Sequence, residues 1–270
     1  MAVVYNIPLS RLAEYRQHDL IVRTEQPQAL LDSIDLGQLQ QLAYVQLLSL
    51  PANTDCLIHW TPGLAVELVL EQPGTNFPQL YRYAKLLDNH PVRVAIPVEN
   101  GFEKAVKLAL SLQFAVRLQI GQPAEVLMQP LIDTLDDYLH RPTVALPLEF
   151  FHSLLLAFCR EEPIDLWQVQ EEDPALVRYI DDAGAEQLPG KLAVQDFAAI
   201  AEPASFVEHW AAARLQDGGE CSKCTFFAQC RGYFKWPKRD YDCTGIKMLL
   251  QTLRQAGEEL RRDLAEAESH

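Results

Sequence analysis

The sequence predicts an α/β fold: a partial, curved βα barrel followed by a small metal-binding domain. Strand-like and helix-like periods alternate from about residue 55 to 139, and strand starts at residues 66, 92 and 114 repeat at the length of a βα unit. Four of the six cysteines fall in a 23-residue window near the C-terminus. At 270 residues the chain buries roughly 70–75% of its unfolded surface and needs no disulfides to fold.

Residues 1–54 read as an N-terminal helical cap, with Leu36, Leu39, Leu42 and Ala43 on one face and Pro51 ending the run. Residues 55–165 supply the partial barrel. Cys56 to Trp60 is a candidate first strand and Val66 to Leu70 the next, followed by a helix carrying Phe77, Leu80, Tyr81, Ala84 and Leu87. Val92 to Val98 is a third strand, and Phe102, Ala105, Val106, Ala109 and Leu110 share the face of the helix after it. Phe114 to Ile120 precedes a helix with Leu127, Leu131, Leu135 and Leu139, and Ala145 to Leu148 is a last strand. Successive parallel strands need a crossover helix, and roughly five such units fall short of the eight that close a barrel. A doubly wound sheet is the alternative.

Acidic residues and two prolines between Glu161 and Asp173 mark a boundary, so residues 166–270 form a second domain. It opens with a hairpin, Val177 to Ile180 and Glu186 to Leu188 around the turn Asp181 to Gly184. A helix from Phe206 to Leu215 carries Trp210. After the cysteines comes an amphipathic helix with Ile246, Leu249, Leu250, Leu253, Leu260 and Leu264, fraying beyond Ala265.

Composition excludes several partners. With 37 acidic against 23 basic side chains the net charge is −14, which repels phosphate backbones and anionic lipid, so neither nucleic acid nor membrane is expected. No apolar run approaches the roughly 18 residues of a span. The N-terminal residues lack the basic start of a secretory signal, and a cytoplasmic setting is expected.

In a reducing compartment clustered cysteines point to metal before disulfide. The spacing is Cys221-x2-Cys224-x5-Cys230-x12-Cys243. Structural zinc sites usually combine two short knuckles, and only the first pair here has that form. A cubane binds each thiolate through a different iron and accepts wider spacing, so one [4Fe-4S] cluster is the first reading; the alternative is Zn, in a zinc-stapled protein-interaction module without a redox role. The stretch from Cys221 to Lys247 carries +4, leaving −18 for the rest of the chain, which suits a metal–thiolate centre of either kind. Phe226, Phe227, Tyr233, Phe234 and Trp236 would shield it from water.

This cysteine pattern resembles the C-terminal half of the SPASM domain, the iron–sulfur extension of radical SAM enzymes that modify ribosomal peptides. The resemblance extends upstream, since Tyr179 to Pro189 is similar to that domain's opening hairpin and Phe206 to Trp210 to its tryptophan helix; about 70 residues are covered. It implies a radical SAM-like partial barrel before the domain, and cluster ligation by Cys221, Cys224, Cys230 and Cys243. The family's other auxiliary cluster would need cysteines where this chain has Pro189-Gly190 and Phe234. The catalytic Cys-x3-Cys-x2-Cys is absent, and Cys56 stands alone, so the resemblance implies a degenerate member without radical chemistry of its own. The implied role is accessory: a cytoplasmic partner subunit, in a heterodimer with an active radical SAM protein, with a ribosomal precursor peptide, or both. Gly218-Gly219-Glu220 spells the family's AdoMet-binding triplet but abuts Cys221 instead of following a strand, and reads as coincidence.

Other candidates are weaker. Asp137-x-x-His140 and Glu149-x-x-His152 have the spacing of di-iron ligands but read as helix-surface pairs. His59-Trp60 sits at a strand end, Cys159 and Cys56 read as small core residues, and Gln72-Pro73-Gly74 and Glu99-Asn100-Gly101 as strand-to-helix turns. There is no phosphate loop and no nucleophile elbow, so a stand-alone enzyme finds no convincing residues.

Overall fold

A computed structural model describes residues 3–34, 41–51, 54–58, 60–141, 144–188, 190–194 and 203–267. Seven parallel strands lie side by side in chain order: β1 (Val4–Pro8), β2 (Asp19–Thr24), β3 (Leu42–Leu47), β4 (Val66–Val69), β5 (Val92–Pro97), β6 (Ala115–Gln119) and β7 (Leu148–Glu149). β8 (Val177–Ile180) adds parallel to the free side of β1, and β9 (Glu186–Gln187) returns antiparallel beside it. The fold is therefore α/β on a mostly parallel sheet of nine described strands.

Between the strands run α1 (Pro27–Ser33), α2 (Asp55–Ile58), α3 (Pro73–Asn76), α4 (Phe102–Ser111), α5 (Glu125–His140), α6 (Phe151–Arg160) and α7 (Leu166–Val169). The cysteine region holds α8 (Phe206–Gln216), α9 (Phe227–Cys230) and the 24-residue α10 (Thr244–Ala267). α10 lies on α6, where Gly257 has room only for hydrogen: a Cβ there would stand 2.8 Å from the Cβ of Phe158.

The expected strands 66–70, 92–98 and 114–120 appear within a residue or two, as do α4, α5, α8, α10 and the β8–β9 hairpin. Four expectations are corrected. Residues 1–54 are not a helical cap, because β1, β2 and β3 occupy most of their described part; Leu36 and Leu39 lie outside the described residues, and Leu42 and Ala43 open β3. Strand pairing wins there because Ile7, Val22 and Val45 are all fully buried in register with one another. The proposed strand at Cys56 is instead the short helix α2. Residues Phe77–Asp88 wind as a 3-10 helix, in which every third side chain eclipses, so Leu80, Tyr83 and Leu86 are buried and Tyr81 faces solvent at 63% exposure. Lastly, the boundary at 165/166 does not divide the sheet, since β8 pairs directly with β1.

Register separates the two faces. Ile7, Val22, Val45, Leu68, Val94, Val116 and Leu148 alternate onto one face and join the apolar core with Phe102, Ala105 and Ala109 of α4. The opposite face is polar although buried. Arg23, Gln46, Glu67 and Arg93 are successive register partners across β2, β3, β4 and β5. Arg117 of β6 reaches the same group: its Nε and Nη2 each donate to Glu67 at 2.8 Å, and Gln46 Nε2 donates to Glu67 at 2.6 Å. Arg93 pairs with Glu67 at 2.5 Å and with Glu171 at 2.8 Å, while the Tyr44 hydroxyl donates to Glu171 at 2.5 Å. The segment after α7 thus lies over this face, held also by Gln170, which accepts from the Ile120 amide and donates to the Leu118 carbonyl.

Candidate metal centre

Cys221 and Cys224 flank a tight turn, the 3-10 segment Glu220–Lys223, closed by a 3.2 Å bond from the Cys224 amide to the Cys221 carbonyl. Three-residue spacing on such a turn puts both thiols on one side. Cys230 ends the single turn α9, its amide bonded to the Phe226 carbonyl at 2.9 Å. The chain then reverses through two left-handed residues, Arg231 (φ 47°) and Gly232 (φ 77°). Gly232 is required twice over, by its φ and because a Cβ would stand 2.8 Å from Arg214 Cγ and 2.9 Å from Trp210 Nε1. Trp210 Nε1 donates to the Gly232 carbonyl at 2.9 Å, so the tryptophan helix anchors the turn. The reversal aims the backbone amides of Phe234 and Gly232 at the Cys230 sulfur. Cys243 immediately precedes α10, where the helix dipole favours a thiolate.

All four cysteines line one pocket, with Glu220, Phe226, Phe227, Phe234, Lys235, Lys247 and residues of α10; its cavity volume is about 20 Å³. Each of the four is half-buried, and none is in a disulfide. As they stand, no three histidine, cysteine or acidic side chains among the described residues are grouped as ligands of a single ion. The convergence is therefore of four thiols on a shared pocket rather than on one point.

Electrostatics of the pocket follow from its burial. Desolvation raises the Cys221 thiol, pushes Cys230 up to about 11 against the pull of the two amides, and pushes Cys243 up to about 12. Burial thus favours the protonated form of these three thiols, and ligation by a metal would release their protons. The balancing cations are in place. Lys235 and Lys247 line the pocket and both bond Glu220, at 2.6 and 2.5 Å. Burial opposes the charged form of Glu220, but those two hydrogen bonds win and hold its carboxyl below the usual range. Lys191, whose amine burial lowers to about 7, donates to the Tyr233 carbonyl at 2.6 Å behind Cys230. Aromatic rings close the apolar side: Phe226 meets Phe158, Phe234 meets Phe150 and Tyr233, and Trp236 meets Trp210 and Phe206.

The other sequence candidates have other occupations. Cys159 is buried in α6 and Cys56 half-buried in α2, both away from the pocket. Asp137 pairs with Lys107 and Arg141, His140 with Asp136, Glu149 accepts from Ser153, and His152 bonds the Tyr138 hydroxyl. Trp60 is buried edge-on to His90, and His59 lies outside the described residues. The turns at Gly74 and Gly101 pack on each other, a Cβ on Gly101 falling 2.6 Å from Gly74 Cα, which accounts for both glycines.

Sequence reasoning missed two groups. Glu220, set aside with its two glycines, is the shared partner of the pocket's lysines; an acidic residue abutting the first cysteine of a basic segment was the available signal. The Glu67–Arg93–Arg117–Glu171 network went unnoticed, although Val-Glu-Leu-Val, Val-Arg-Val and Val-Arg-Leu each place one charge between strand-forming residues. Compared with family models, with curated proteins and with solved structures, the chain matches none.

Proposed function

We propose that this chain is an iron–sulfur protein, a partial-barrel relative of radical SAM/SPASM proteins that holds one [4Fe-4S] cluster and serves as the non-catalytic partner of a peptide-modifying enzyme. The observation that carries the reading is the convergence of Cys221, Cys224, Cys230 and Cys243 on one pocket bordered by lysines and aromatic rings. The donor set fits the group. Four thiols suit soft iron, two backbone amides reach the Cys230 sulfur, and Lys235 and Lys247 offset the net negative charge of a four-thiolate cluster. When bound, the cluster would supply one-electron transfer or hold residues 220–247 together. With all four irons capped by thiolates there is no open iron for a substrate.

The strand order supports the partial-barrel part of the reading. Placing β8 on β1 and running β1 to β7 in sequence gives the cyclic order of an eight-stranded barrel that does not pair β7 with β8. The accessory role rests on the missing Cys-x3-Cys-x2-Cys. Glu67, Arg93, Arg117 and Glu171 satisfy one another across β4 to β6, a packed interior of the kind that barrels have whether or not they are enzymes.

Anaerobic purification tests the cofactor. The expected protein is brown, absorbs broadly near 400 nm and carries about four irons and four sulfides per chain. Alanine at any of the four positions should abolish retention of the cluster. Colourless protein holding one zinc would replace this reading with the zinc-stapled interaction module, and a full cluster in the Cys243→Ala variant would remove the fourth ligand. Co-purification with a protein bearing Cys-x3-Cys-x2-Cys tests the partner, and a pull-down with candidate precursor peptides tests the substrate.

A further inference from the structure

A second pocket shares no lining residue with the cysteine pocket. At the carboxyl ends of β1, β2 and β3 a cleft of about 780 Å³ opens between Pro8, Thr24, Leu48, the residues Ala29, Asp32 and Ser33 of α1 and the hairpin turn at Asp182. Ligands of parallel sheets bind at this edge. The wall is preformed, since Arg11 bonds the Asp182 carbonyl at 3.0 and 3.2 Å and so ties the β8–β9 turn to the segment after β1.

Arg23 lines this cleft and is only 6% exposed. Three arginines stand on the polar face of the sheet. Arg93 and Arg117 are neutralised by Glu67 and Glu171, whereas Arg23 has no carboxylate partner among the described residues. Its Nη1 donates to the backbone and side-chain oxygens of Asn6 at 2.9 and 3.1 Å, its Nη2 to the Ile180 carbonyl, and the guanidinium lies 3.9 Å from the Tyr179 ring centroid. All these partners are neutral. The Nε–H and one Nη2–H remain without a partner among the described residues, two donors on adjacent nitrogens, the number that a carboxylate accepts. Burial disfavours this charge, and the carboxylates of Asp182 and Asp181 favour it without an ion pair, so a ligand carboxylate entering the cleft relieves a cost that contact with an anion would otherwise cover. Glu25, Asp32 and Asp182 also line the cleft against Arg16 and Arg23, an excess of one negative charge that disfavours phosphates and other polyanions and favours a positive group on the same ligand.

We propose that this cleft binds a small zwitterion, a free amino acid or the free ends of a short peptide, with its carboxylate on Arg23 and its ammonium among Glu25, Asp32 and Asp182. The site is independent of the metal centre.

Calorimetry on the full chain, titrated with glycine, glycylglycine, N-acetylglycine, glycinamide and inorganic phosphate, tests it. Glycine or glycylglycine should bind at or below about 10 mM, blocking either end should weaken binding about tenfold or more, and phosphate should not bind. Whether glycine or the dipeptide binds tighter separates the two sources. Ala29→Trp, which fills the cleft from α1, should abolish binding with an unchanged melting temperature, and Arg23→Lys should weaken it about tenfold. Metal content measured on both variants keeps this result separate from the cluster. Binding by phosphate, binding that survives Ala29→Trp, or no heat from any zwitterion would each overturn the proposal.

Discussion

Replacing Glu67 by Gln tests the ion network that fills the polar face of the sheet. The substitution keeps the shape and removes one charge. Glu67 is 0% exposed and receives Arg117 twice, Arg93 and Gln46. Burial alone would raise its carboxyl, but the guanidiniums of Arg117 and Arg93, with the hydrogen bonds from Arg117 and Gln46, overcome burial and hold it at about 2. Against an ordinary value near 4.5, that depression is worth about 3 kcal/mol of stability at neutral pH. Breaking one partner of a buried ion pair gives the same order, about 3–5 kcal/mol. The sign follows from the depressed folded-state value: the contribution is complete above about pH 5 and is lost as pH falls toward 2. Urea unfolding at pH 7 should show Glu67→Gln weaker by about 3 kcal/mol with an unchanged slope. Repeated between pH 5 and 3, it should show the wild type losing stability faster than the variant, so that the two converge. A loss below about 1 kcal/mol at pH 7, or parallel pH curves, would refute the claim that this carboxylate carries the network.

Two further predictions concern the cysteine pocket. Gly232→Ala forces a side chain into a left-handed turn against Trp210 and Arg214; it should cost about 1–3 kcal/mol in thermal or urea unfolding and lower the metal retained after gel filtration. Glu220→Gln removes the negative charge between Lys235 and Lys247; the bound centre should be reduced at a higher potential in voltammetry, with metal content kept.

The elements most legible in the sequence were those whose burial follows one period. Val94 and Ile96, or Ala105 and Ala109, alternate or recur as their partners require, and β5, α4 and β6 fell where expected. The N-terminal strands were lost because they are short and irregularly flanked. Val4–Pro8 ends in a proline directly before a 3-10 turn, and the leucines from 36 to 42 imitate a helical face although Leu42 belongs to a strand. What makes Ile7 and Val22 strand residues is their place between β8 and β3, a pairing between positions far apart in the chain that no local window contains. That the four cysteines gather on one pocket was legible because x2 spacing is itself a local geometry, whereas Glu220 acquires its role only when Lys235 and Lys247 return from 15 and 27 residues away.

The buried charges bear on where this sheet could take a ligand. A strand written Val-Arg-Val reads as half-solvated, one face in the core and one in water. Here the second face is also covered, and Arg93 and Arg117 remain charged because Glu67 and Glu171 are brought to them from β4 and from the segment after α7. Such a network is stable only when complete, since each member left alone would be an uncompensated buried charge. A substrate reaching these strands from above would have to displace the segment at Glu171 and break its pair with Arg93, in which each side chain is 26% exposed, and would leave Arg117 with Glu67 alone. Small-molecule chemistry over β4 to β6 is therefore disfavoured. That directs attention to the cysteine pocket beside α10 and to the cleft at the carboxyl ends of β1 to β3, where Arg23, alone of the three arginines on this face, has no ion pair with a carboxylate among the described residues.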